Sequence, residues 1–138
     1  MGTPTGNFRT TRTLRVRTPA EGTAGTGGEY AVGTVDVTGA VVGARYTPDA
    51  TVTGVASNNK ALAVVNKGTS GSGTQSTAAV TFGAGTNAPA YDLTALTLDP
   101  TVANRDVVAG SVLSLRSTVN GTGMTLPAGT IEVDVLSD

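Results

Sequence analysis

The feature that most constrains the fold is a period-two alternation at the end of the chain. Ile131, Val133 and Val135 alternate with Glu132 and Asp134. In a strand, that spacing puts the apolar set on one face and the acids on the other, the signature of a sheet with one wet side. Leu113-Ser114-Leu115-Arg116 repeats the pattern. Shorter runs add inward-facing candidates at Val35, Val37, Val42, Ala44, Tyr46, Val52, Leu62, Val64, Ala78, Val80, Phe82, Leu96 and Leu98. Turn residues punctuate these runs at Tyr46-Thr47-Pro48-Asp49, Ser57-Asn58-Asn59, Gly83-Ala84-Gly85, Asp99-Pro100 and Pro127-Ala128-Gly129, each a recognised breaker of extended structure. Asn120-Gly121 reads as a hairpin turn.

No stretch longer than about two helical turns carries a 3.6-residue apolar period. Val and Thr, stiff at the first side-chain torsion, suit a pleated sheet. A chain of 138 residues makes one domain. The prediction is a single all-β domain: a β-sandwich, jelly-roll-like or immunoglobulin-like, preceded by an extended N-terminal arm.

Charge divides the chain unevenly. Arg9, Arg12, Arg15 and Arg17 precede the first acid, Glu21, and the net charge of the whole is −1. Residues 1–33 therefore read as a basic arm and a Gly/Thr-rich spacer, and residues 34–138 as the sandwich body. In the arm, Phe8, Leu14 and Val16 fall on one face of a strand, and Arg9, Arg15 and Arg17 on the other. Arg12 falls on the apolar side. So few apolar residues do not hold a strand alone, so the arm either stays a disordered tail or needs a sheet edge, its own body's or a neighbour's. The apolar stripe favours an ordered arm, with Phe8, Arg9, Arg12, Leu14, Arg15, Val16 and Arg17 as candidate contacts to a capsid or neighbouring subunit. A flexible spacer from Thr18 to Gly33 would reach roughly 20–24 Å.

Catalytic chemistry finds little to use. The chain has no His and no Cys, which removes the usual base near neutral pH, thiol nucleophiles and disulfides. Glu132 and Asp134 share a strand face, but a solvated outer face explains them. Lys60 and Lys67 lack Ser-x-x-Lys spacing, and Ser70 and Ser72 lie in no nucleophile elbow. The glycines at 22, 25, 27 and 28 fit no dinucleotide or phosphate-loop pattern. No metal or cofactor is expected, and no enzyme activity. The mildly acidic body disfavours nucleic acid. No run approaches a membrane span or a signal peptide, so synthesis in the cytoplasm is expected. Sugar platforms need exposed aromatics, for which Tyr30 and Tyr91 are the candidates.

The stretch from Val41 to Val135 resembles small head proteins of actinobacteria-infecting tailed phages, the decoration, minor capsid or head-fibre proteins. The resemblance is carried by RYTPDATVTGVASNNKALAVVNKG at 45–68, YDLTALTLDP at 91–100 and DVVAGSVLSLRSTVNGTGMTLPAGTIEVDV at 106–135. It covers about two thirds of the chain and includes no catalytic residue. It implies a β-sandwich on the outer surface of a virion, bound to the major capsid protein and to copies of itself, as a homotrimer. The alternative role is a host-surface or glycan-binding module of a head fibre or tail.

Overall fold

The structure is a computed structural model that describes residues 9–22 and 27–138. Ten strands follow one another: β1 (Thr11–Thr18), β2 (Glu29–Thr34), β3 (Gly39–Pro48), β4 (Lys60–Asn66), β5 (Gln75–Thr81), β6 (Thr94–Ala95), β7 (Thr97–Leu98), β8 (Asp106–Val107), β9 (Val112–Val119) and β10 (Gly129–Ser137). A single 3₁₀ turn, Val102–Arg105, precedes β8. The strands form two antiparallel sheets. The first runs β1-β10-β3-β6, with β8 also on β3, and the second runs β2-β9-β4-β5-β7.

The pairings are nested. β1 pairs with β10, β2 with β9, β3 with β6 and β8, and β4 with β5. That is one long antiparallel ribbon folded over on itself, the jelly-roll arrangement of a two-sheet sandwich. Of the two sandwich types expected, the jelly roll is the one adopted.

The core lies between the sheets. Ile131, Val133 and Val135 of β10 are fully buried, facing Leu113 and Leu115 of β9 and Leu62 and Val64 of β4 in one cluster. Tyr46 and Phe82 are its largest members, with ring centroids 6.3 Å apart and planes tilted by 56°, a favourable offset for aromatic quadrupoles. The Tyr46 hydroxyl donates to the Pro127 carbonyl at 2.9 Å. Burial, with the nearby Asp49 and Glu21 charges, pushes its pKa up to about 12.

Three β-bulges interrupt the ladders among the described residues, one of them at Val32 of β2, and the other two explain departures from strict alternation. The register of β3 on β10 jumps between Asp134↔Gly43 and Val135↔Val41, leaving Val42 as the extra residue. Val41 is therefore buried, while Val42, expected inward, is 41% exposed. On β5, Val64 faces Ala78 and Val65 faces Ser76, so Thr77 is the inserted residue. It is buried, and its hydroxyl donates to the Val64 carbonyl at 3.0 Å. Val37, Val80 and Leu98 are only partly buried, packed against the core's margin.

Asn120-Gly121 does not close a hairpin, because β9 and β10 belong to different sheets. It starts the connection that crosses from one sheet to the other. Gly121 has φ +63°, and a Cβ there would lie 2.4 Å from the Asn58 Oδ1. Only glycine fits both constraints. The neighbouring Asn120 is tied to Asn59 by its amide and by its backbone N–H. Replacing Ile131 by Ala removes fully buried volume where facing strands cannot collapse, and should cost about 2–5 kcal/mol in unfolding free energy by denaturant titration.

Candidate assembly surface

β1 is where the sequence placed its arm. Thr11 to Thr18 pair residue for residue with Leu136 to Gly129 of β10, with no break in register. The expected arm is thus the edge strand of the first sheet, and the expected boundary after Gly33 falls inside β2 of the second. The described stretch is held by this body's own sheet. Phe8 lies outside the described residues.

The alternation explains how β1 docks. Leu14 and Val16 point into the sandwich and pack against the core. Leu14 covers Gly33 of β2, where a Cβ would lie 3.3 Å from the Leu14 Cδ2. A bare glycine there lets the two sheet edges close. Arg12 also has inward parity, but it stays exposed and pairs with Asp36 at 3.3 Å.

On the outer face the remaining arginines meet this chain's own acids. Arg15 reaches Glu132 of β10, its Nε 3.0 Å from Oε2. Arg17 pairs with Asp49 just past β3, with an Nη1–Oδ1 distance of 3.1 Å. Arg45 of β3 lies between Glu132 at 3.5 Å and Asp134 at 2.6 Å. The Thr13 hydroxyl donates to Asp134 at 2.7 Å. A ladder of alternating charge therefore crosses three strands, β1 to β10 to β3. Glu132 and Asp134 do share a face, and arginine neutralises both. Arg9 carries no ion pair among the described residues and lines a shallow cleft with Val42, Val102 and Arg105.

These pairs set the charge states. Hydrogen bonds from Arg15 hold the Glu132 carboxyl below the usual range, and those from Arg45 and then Thr13 do the same for Asp134. Arg17 lowers Asp49 in the same way.

A second polar cluster was not foreseen. The side chain of Lys60 is 3% exposed and that of Glu21 is 13% exposed, with Nζ 3.0 Å from Oε1. Lys60 also donates to the Gly22 carbonyl at 2.8 Å. Ser117 and Tyr30 each donate a hydroxyl to Glu21 at 2.7 Å. Burial works to raise the Glu21 carboxyl, and the bonds from Tyr30, Ser117 and Lys60 outweigh it and hold it low. Burial and the Glu21 charge raise the Tyr30 hydroxyl well above its ordinary value. The cluster pins the chain after β1 to the floor of the sandwich, where Glu21 and Leu126 also exchange backbone hydrogen bonds. Parity carried the signal: Lys60 shares the inward face of β4 with Leu62 and Val64.

The structure also separates the two aromatic candidates. Tyr30 is half-buried and its hydroxyl is engaged. Tyr91 is 78% exposed and has φ +58°, left-handed backbone that a bulky residue adopts only when its surroundings impose it. Its N–H donates to the Pro48 carbonyl at 2.8 Å. Among the described residues no group of three or more metal-ligating side chains comes together, and no helix is long and apolar enough to cross a membrane. Compared with protein-family models, curated proteins and solved structures, the chain matches none.

Two predictions follow from the electrostatics. Changing Lys60 to Met strands the Glu21 carboxylate and should cost about 3 kcal/mol, as breaking a buried pair does. Adding Glu21→Gln should recover part of the loss, as read from denaturant midpoints. The second concerns pH. Carboxyls lowered on folding contribute stability that is present above their unfolded value and lost as pH falls through the folded one. Tyrosines raised on folding contribute stability that is lost as pH climbs past their unfolded value. Stability should therefore be flat from about pH 5 to about pH 9 and fall on both sides. Thermal midpoints across pH 2–11 check this, and Tyr30→Phe should blunt the alkaline fall.

Proposed function

We propose that this chain is a non-enzymatic structural protein of a phage virion, decorating and stabilising the outer surface of the capsid. Its partners in this reading are the major capsid protein and copies of itself, clustered as a homotrimer. It would be made in the host cytoplasm and act by tying neighbouring capsomers together. Many small contacts repeated by symmetry then sum to a large stabilisation.

The observation that carries the reading is where the head-protein resemblance falls on the fold. Residues 45–68 contain the end of β3 and all of β4, residues 91–100 contain β6 and β7, and residues 106–135 contain β8, β9 and most of β10. The resembling segments are thus the frame of the sandwich rather than its loops alone. A jelly roll with six of its cations held in internal ion pairs suits a part that must survive on a particle surface.

The test is binding to expanded, undecorated heads. The purified chain should co-sediment with them to a fixed saturating occupancy and raise their resistance to heat. No saturable binding would sink the proposal. Removal of residues 1–8 leaves β1 whole, so an occupancy loss in that variant would assign capsid contact to this segment.

Tyr91 favours a second reading, as a host-surface or glycan-binding module. An exposed ring held in left-handed backbone can serve as an anchor, since such strain clusters at ligand contacts. Glycan-array binding that disappears in Tyr91→Ala, with the fold intact, would support it. An array without signal would remove it.

A further inference from the structure

We propose that two copies of this chain join through the free edge of β1, paired antiparallel about a two-fold axis at Leu14, so that two first sheets become one continuous sheet. Three observations carry this, none of which depends on the capsid reading.

The edge is long and regular. β1 runs for eight residues with unbroken register on β10 and, among the described residues, has no strand on its other side. Edges of this kind are normally blunted by bulges, by proline or by free charges. The opposite edge of the same sheet is blunted, since β6 and β8 are two residues each and Val42 bulges beside them. β1 has neither bulge nor internal proline, and Pro19 lies just beyond it.

The charges on β1 do not guard it. Arg15 and Arg17 turn back across the sheet to Glu132 and Asp49, and Arg12 turns to Asp36. Each has an acid of its own within the chain, so the edge selects no acidic partner strand, and repulsion between copies matters only where two arginines fall directly opposite.

The register is chosen by the sequence. A two-fold axis perpendicular to the sheet keeps outer faces together, so paired residue numbers sum to an even value. Two such registers use nearly all of β1. The one centred on Arg15 sets Arg15 against its own copy, and like charges directly opposite are destabilising. The one centred on Leu14 sets Arg15 against Thr13, Arg17 against Thr11, and Arg12 against Val16. It also brings the half-buried Leu14 of each copy together over the two Gly33 positions. A two-fold contact of this kind leaves a three-fold cluster to other faces, and would link one cluster to the next.

The chain lacks cysteine, which makes the test direct. Directly opposed Cβ atoms lie about 4.5–5.5 Å apart, close enough for a disulfide after a small shift. Under mild oxidation, Leu14→Cys should give a covalent dimer, and a mixture of Thr13→Cys and Arg15→Cys copies should cross-link to each other. Leu14→Cys should not cross-link to Val16→Cys, the pair opposed in the Arg15-centred register. The Thr13→Cys and Arg15→Cys mixture keeps the test valid if Leu14→Cys unfolds. Thr13→Arg, which opposes Arg15 of the second copy, should weaken self-association about tenfold in sedimentation equilibrium at low salt. A chain that stays monomeric at high concentration without cross-links overturns the proposal. So does a cross-link between Leu14→Cys and Val16→Cys copies, or a monomer whose β1 edge instead captures an extended acidic peptide such as polyglutamate.

Discussion

The rest of the molecule depends on β10 being paired on both sides, by β1 and by β3. Its inner face supplies Ile131, Val133 and Val135, all fully buried. Its outer face supplies Glu132 and Asp134, which tie Arg15 of β1 and Arg45 of β3 together. One strand thus carries the centre of the core and the centre of the charge ladder. Burial of these three with the rest of the apolar core supplies most of the stabilisation, at about 25 cal/mol per Å² of apolar surface. The ladder adds little energy where it is exposed. It sets register, because a one-residue slip would turn the acids inward.

The second constraint is the buried pair of Lys60 and Glu21. An ammonium with a 3% exposed side chain is costly to desolvate, and such pairs contribute weakly to net stability. Their use here is positional. Glu21 follows β1 closely, and Lys60 opens β4 in the opposite sheet. Ser117 and Tyr30 complete the carboxylate's hydrogen bonds from β9 and β2. Four elements are therefore located against one another by a single carboxylate, at the side of the sandwich where β1 passes toward β2.

Much of the fold was legible in the sequence because its signal is local. Alternation at Leu113 to Leu115 and at Ile131 to Val135 predicts both the strands and their inner faces. Val42 shows where local reading stops. Nothing in Val41-Val42-Gly43 marks the bulge, which is set by the register with β10 more than ninety residues later. Val65 is a similar case, with outward parity on β4 yet fully buried. Which sheet edge receives β1 is likewise set over long range. Its strand pattern was visible, but the acids that hold it (Asp36, Asp49 and Glu132) are scattered in sequence and meet it only in space. Lys60 had a readable sign in its parity with Leu62, and a charged residue at an inward position marks either a wrong register or a buried partner.

The central claim is that β1 is part of the sandwich, gripped by β10, rather than a tail beside it. Residue-resolved amide hydrogen exchange tests it most directly. Amides of β1 that face β10 should be protected to a degree approaching their partners around Val133. Exchange throughout Thr11–Thr18 at the rate of an unstructured peptide, beside a protected β10, would contradict the account.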